Sequence, residues 1–207
     1  MSKLVVLLMA VLCAGSLALA DTITFNSPAG ALGTTQVYTL DGVNFTATAF
    51  NGGNLFAKNG GSDEKGLGLT NDSQHEIGPG TPTQFIQLDL LPLITAGFTG
   101  FQFLMGSSTV IDAWKVSACA SAGSGGSGPP CDSSVNALTG TDELTFHPVP
   151  SDFSATNHYL DFSATSGNVL LEELSATPAP EPRFYGLLLT AILGFAGIVI
   201  RKRRTLV

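Results

Sequence analysis

From Asp21 to about Leu174 the apolar positions alternate with polar ones in short runs, and Gly, Asn, Asp or Pro breaks each run within a few residues. Val43, Phe45, Ala47 and Ala49 alternate with Asn44, Thr46 and Thr48, the pattern of a strand with one buried and one wet face. Thr22–Phe25 reads as a first strand, stopped by Asn26-Ser27-Pro28 and a turn over Gly30 to Gly33. Gln36–Leu40 and Val43–Phe50 form a hairpin across Asp41-Gly42, a dipeptide that supplies the positive φ of a two-residue turn. Further strands are expected over Asn54–Lys58, Gln84–Leu90 (ended by Pro92), Phe98–Met105, Ala113–Ala118, Glu143–Phe146, His158–Ala164 and Asn168–Leu174. Roughly ten short strands, no long helical period and no repeat of blade length predict an all-β, antiparallel β-sandwich, jelly-roll-like, over residues 21–175.

The two ends of the chain follow other patterns. Lys3, the apolar run Leu4–Leu12 and Ala18-Leu19-Ala20 have the order of a secretory signal peptide over residues 1–20. After Leu174 the chain turns to Ser-Ala-Thr-Pro-Ala-Pro, an extended linker whose residues 176–183 carry Pro180-Glu181-Pro182. Residues 184–200 are 17 positions without a charge. As a helix they reach roughly 26 Å, just enough to cross a bilayer. Arg201, Lys202, Arg203 and Arg204 follow in the tail 201–207, and this basic end is expected to stay in the cytoplasm, with the β domain outside.

This order of Pro180-Glu181-Pro182, apolar helix and arginine cluster resembles the sorting signal of PEP-CTERM proteins. The resemblance implies an exosortase as processing partner, a membrane enzyme that recognises the Pro-Glu-Pro region and removes the helix. It also implies an inner-membrane anchored precursor and a product at the cell surface or outside the cell. The segment from Asn59 to Glu76, the Phe85–Leu90 strand and Gly167–Leu171 look similar to exported domains that precede such tails, a similarity that brings no known activity.

Charge and cysteines narrow the picture further. The whole chain carries −7, but residues 21–182 hold all 16 acids against Lys58, Lys65 and Lys115, leaving −13. Such a surface repels phosphate backbones, so no nucleic-acid partner is expected. Cys13 lies in the expected signal, and Cys119 and Cys131 remain as one pair in an exported chain, a disulfide around a Gly- and Ser-rich loop. A ring this short stabilises by about 3 kcal/mol at best. A redox or metal role for the pair lacks CxxC spacing and companion ligands in the sequence.

The densest candidate for chemistry is the polar stretch from Asn59 to Glu76. Asp63, Glu64, Asn71, Asp72 and Glu76 offer hard oxygen donors among glycines that permit tight folding, a composition suited to Ca2+. The spacing is not that of an EF-hand, and the same composition suits a solvated turn with Leu67 and Leu69 tucked in. Glu172 and Glu173 are adjacent, so on a flat strand they face opposite sides and cannot form a catalytic pair. His75, His147 and His158 are scattered, and neither Gly-x-Ser-x-Gly, HExxH nor a phosphate-binding loop is present. Phe50, Phe56, Trp114 and Tyr159 could offer stacking faces to a sugar, or serve as core. The expectation is a noncatalytic cell-surface or extracellular-matrix protein, associated with biofilm or exopolysaccharide. A calcium-supported carbohydrate-binding module is the alternative, and a secreted hydrolase stands behind both.

Overall fold

A computed structural model describes residues 19–61, 64–71, 73–107, 111–131 and 136–178. The expected signal peptide, Pro180-Glu181-Pro182, the apolar run 184–200 and the basic tail 201–207 lie outside the described residues, as do Asp63 and Asp72, apart from Leu19 and Ala20 at the end of the signal. Among the described residues no helix is long and apolar enough to cross a membrane.

The described residues between Ala20 and Pro178 form one compact unit of two antiparallel sheets, a β-sandwich. Its strands are β1 (Asp21–Thr24), β2 (Gly30–Gly33), β3 (Thr35–Leu40), β4 (Val43–Phe50), β5 (Leu55–Asn59), β6 (Lys65–Leu69), β7 (Phe85–Asp89), β8 (Thr99–Gly106), β9 (Ala113–Cys119), β10 (Leu138–Gly140), β11 (Phe146–Pro148), β12 (Tyr159–Ser166) and β13 (Leu170–Thr177). A single turn of helix, α1 (Leu91–Thr95), joins β7 to β8. Pro92 sits in its first turn, where a missing backbone N–H costs nothing.

The first sheet centres on β13. One edge of β13 pairs with β8, which pairs in turn with β11. Its other edge is shared between β1, with Ile23 opposite Leu174, and β6, with Leu67 opposite Leu171; β5 and β2 continue outward from β6. The second sheet runs in the order β10-β9-β12-β7-β4-β3. Alternation decides which side chains meet between them. Phe45 and Ala47 of β4, Ile86 and Leu88 of β7, Val116 of β9 and Leu160 of β12 all point into the core, fully or almost fully buried. Across the interface Phe103 of the first sheet packs edge-on against Trp114 and Phe162 of the second, each with ring centroids 5.4 Å apart. Asp41 and Gly42 take φ of 45° and 78°, the left-handed pair that the expected hairpin turn requires.

Several expectations need correction. Gly30–Gly33 is a short strand against β5 rather than a turn. The polar stretch Asn59–Glu76 contains a whole buried strand, β6, with Leu67 and Leu69 fully enclosed. Its glycines serve contact: a Cβ on Gly68 would stand 2.1 Å from the carbonyl oxygen of His75, because the returning chain crosses directly over the strand. The expected strand at Glu143–Phe146 falls instead at Phe146–Pro148, since Leu144 takes φ of 56°, and β10 has no counterpart in the sequence expectation. The linker also begins later than residue 176, because Ala176 is fully buried opposite Asp21 and β13 continues to Thr177. Finally, Glu172 is an extra residue in the β13–β8 register, opposite neither Met105 nor Leu104, and this bulge shifts the inward set from Leu171 to Leu174 and Ala176.

Candidate functional site

The loop closed by Cys119 and Cys131 is a strap laid over the outer face of the second sheet. Outward positions of β7, β9 and β12 should be wet, yet Gln87, Ser117, Asp161 and Ser163 are all at least 95 % buried. The strap supplies part of that cover, and four kinds of attachment hold it. The disulfide joins Cys119, at the end of β9, to Cys131 with Cα atoms 5.5 Å apart, as the sequence led one to expect. The Asn51 side-chain amide, just beyond β4, donates to the carbonyls of Thr83 (2.9 Å) and Ser127, and its Oδ1 accepts from the N–H of Gly126 (2.8 Å). The N–H of Gly123 donates to Gln87 Oε1 at 3.0 Å. Gly123 also lies on the stacked rings of Phe50 and Phe85, where a Cβ would come within 2.7 Å of Phe85. Only glycine fits there.

Beneath the strap a polar chain runs inward. Gln87 Nε2 donates to Asp161 Oδ1 at 2.6 Å, and Asp161 Oδ2 faces Cys119 Sγ at 2.9 Å and Cys131 Sγ at 4.0 Å. Asp161 stands diagonal to Cys119 in the β12–β9 register, two residues from its direct partner Tyr159. The carboxylate is therefore placed by two rigid strands and oriented by an amide that the strap itself positions. Sequence reasoning missed Gln87, Asp161 and Asn51: on alternating strands the first two fall on the face away from the core, and nothing local marks the third.

The acidic stretch is organised differently. Glu64 and Glu76 converge, but on a lysine: Lys58 Nζ pairs with both carboxylates, and Ser107 Oγ donates to Glu76 Oε1 (3.0 Å) and Glu64 Oε1 (3.3 Å). Burial alone would lower the Lys58 pKa, and the hydrogen bonds and charge of the two glutamates outweigh it, holding the ammonium above its ordinary value. Of the five residues expected to bind Ca2+, the structure brings Glu64 and Glu76 together, leaves Asn71 exposed at the turn after β6, and does not describe Asp63 and Asp72. The ammonium of Lys58 supplies a counter-charge to Glu64 and Glu76 that the composition of the stretch does not show, because Lys58 belongs to the preceding strand.

The remaining candidates are held by packing. His75 stacks on Phe56 at 3.9 Å, with His75 at φ 59°. His147 lies 2.9 Å from Asp142 and packs on Trp114, while His158 accompanies Tyr159 and stands 3.7 Å from Asp89. Trp114 is a core residue whose Nε1 donates to the Asp142 carbonyl at 3.0 Å, so it presents no free face to a sugar, while half-buried Phe50 stacks on Phe85 beside Gly123 of the strap. Burial raises the Glu173 carboxyl above its usual range. Comparison with protein-family models, with curated proteins and with solved structures finds no match to this chain.

Proposed function

We propose that this is an exported, noncatalytic cell-surface or extracellular-matrix protein, sorted through a PEP-CTERM tail and processed by an exosortase. The observation that carries the proposal is the tripartite tail: Pro180-Glu181-Pro182, the uncharged run 184–200 and Arg201 to Arg204, in that order at the end of a β-rich chain. The Cys119–Cys131 disulfide agrees with it, because such bonds persist in oxidising compartments and are rare in the reducing cytosol. Residues 1–20 act as a removed signal peptide, and residues 184–200 hold the precursor in the inner membrane as a helix until processing. A jelly-roll-like reading of the sandwich is supported by its later strands, most of which alternate between the sheets: β7 in the second, β8 in the first, β9 and β10 in the second, β11 in the first, β12 in the second and β13 in the first. An exopolysaccharide is the matrix component such a protein would accompany.

The test is to replace Pro180, Glu181 and Pro182 together by Ala in the producing cell. Full-length protein should then accumulate in the membrane fraction while the circular dichroism of the β domain stays unchanged. Processing at the parental rate would overturn the exosortase assignment.

A further inference from the structure

Beside the disulfide stands a carboxylate that a purely structural crosslink does not need. The Sγ atoms of Cys119 and Cys131 and a carboxylate oxygen of Asp161 all lie within 4.8 Å of one another. Two thiolates and a carboxylate around a tetrahedral Zn2+, with bonds of about 2.3 Å to sulfur and about 2.0 Å to oxygen, would sit about 3.5–3.8 Å apart. The two observed sulfur–oxygen distances, 2.9 Å and 4.0 Å, bracket that spacing. The carboxylate is also pre-oriented as metal ligands are, its other oxygen held by Gln87, whose own carbonyl accepts from the strap at Gly123. Cys119 is fixed in β9 and almost fully buried, whereas Cys131 lies on the strap and is partly exposed, so opening the bond needs movement of one side only.

We propose that in its dithiol state this site is a Zn2+ centre, with Cys119, Cys131 and Asp161 as ligands and water in the fourth position. The disulfide and the metal centre are then alternative states of the same strap. An external dithiol reductant supplies the two electrons: its thiolate attacks Cys131 Sγ, the S–S bond breaks, and Cys119 leaves as a thiolate. The second reductant sulfur resolves the mixed disulfide, so the reductant ends as its own disulfide and the protein as two thiols. Zn2+ then displaces the two thiol protons to solvent. Thiolates favour a borderline cation such as Zn2+ over Ca2+ or Mg2+, which take oxygen ligands. Metal and disulfide close the same ring, so the strap stays over Asp161 in both states.

The experiment uses the full chain with Cys13→Ser, which leaves Cys119 and Cys131 as its cysteines, reduced with a water-soluble phosphine and titrated with Co2+. Expected is a thiolate-to-cobalt charge-transfer band that saturates at one equivalent, disappears on adding Zn2+, and is absent from the oxidised chain. Cys119→Ser and Cys131→Ser should each abolish tight binding, and Asp161→Asn should weaken it roughly ten-fold or more. Failure to saturate at one equivalent, or parental affinity in Asp161→Asn, overturns the proposal. Should Asp161→Asn not fold, Asp161→Cys decides: a third thiolate must strengthen the band, and an unchanged band removes residue 161 from the site. A reduced chain that folds only with Zn2+ supports the proposal, and one that folds neither with nor without it overturns it.

Discussion

Two glycine-rich polar stretches of this chain, Asn59–Glu76 and the loop from Cys119 to Cys131, look alike in composition and are held by opposite means. The first is held by charge and by backbone. It folds a full strand, β6, into the first sheet and closes its base with Lys58 between Glu64 and Glu76. The second contributes no strand between its cysteines and is held by one covalent bond, the amides of Asn51 and Gln87, and contact with Phe50 and Phe85. Polar, glycine-rich sequence therefore states only that a segment can approach other backbone closely. What fixes it is decided by what it approaches: a sheet edge offering backbone hydrogen bonds in one case, a finished sheet face offering only side chains in the other.

Each stretch can be released separately. Cys119→Ser should have the largest effect, lowering stability by about 3 kcal/mol, since the crosslink limits the unfolded chain. Limited proteolysis should then cut first between residues 120 and 130, and cleavage elsewhere would show that the strap does not depend on its bond. Next, Lys58→Met leaves two converging carboxylates without their ammonium. Glu76 is buried and Glu64 is not, so solvent screening reduces the loss to about 2 kcal/mol. Ca2+ should raise the melting temperature of Lys58→Met, whereas the parent should respond to Ca2+ as it does to NaCl of equal ionic strength. A calcium-specific rise in the parent would support the calcium site expected from the sequence.

Smaller effects sharpen the contrast. Asn51→Gly removes the amide contacts to the strap while keeping the φ of 61° easy, and should cost about 1 kcal/mol. With the disulfide intact, the strap should exchange its amide hydrogens faster in this variant, and the acidic stretch should not. The smallest effect is alkaline. The folded pKa of Lys58 is raised, so its stabilisation is complete below the ordinary lysine value of 10.5 and fades as pH rises through the folded value. Hydrogen exchange at high pH, corrected for the intrinsic rate, should loosen the acidic stretch before the strap, and the order should vanish in Lys58→Met.

Much of the fold was legible from local pattern. The Asp41-Gly42 hairpin, the inward set Phe45–Ala47–Ala49, and the pairing of Cys119 with Cys131 all rest on rules that act over a few residues or on a simple count. In the structure Leu160 and Phe162 point inward and Asp161 outward, as strand alternation requires. No local rule could state that an outward residue would be covered. Burial of Asp161 depends on Gln87, on Cys119 and on a strap joined to β4 through Asn51, contacts between residues far apart in the chain. The same limit hid β6, whose glycines read as loop until the returning chain at His75 and the strand β13 are in place on either side of it. The sequence by itself determined strand periodicity, the hairpin turn and the cysteine pair, because these follow from backbone preference, alternation and covalent chemistry. Only the tertiary structure decided which polar groups lost their water, because desolvation is set by what the rest of the fold lays on top of them.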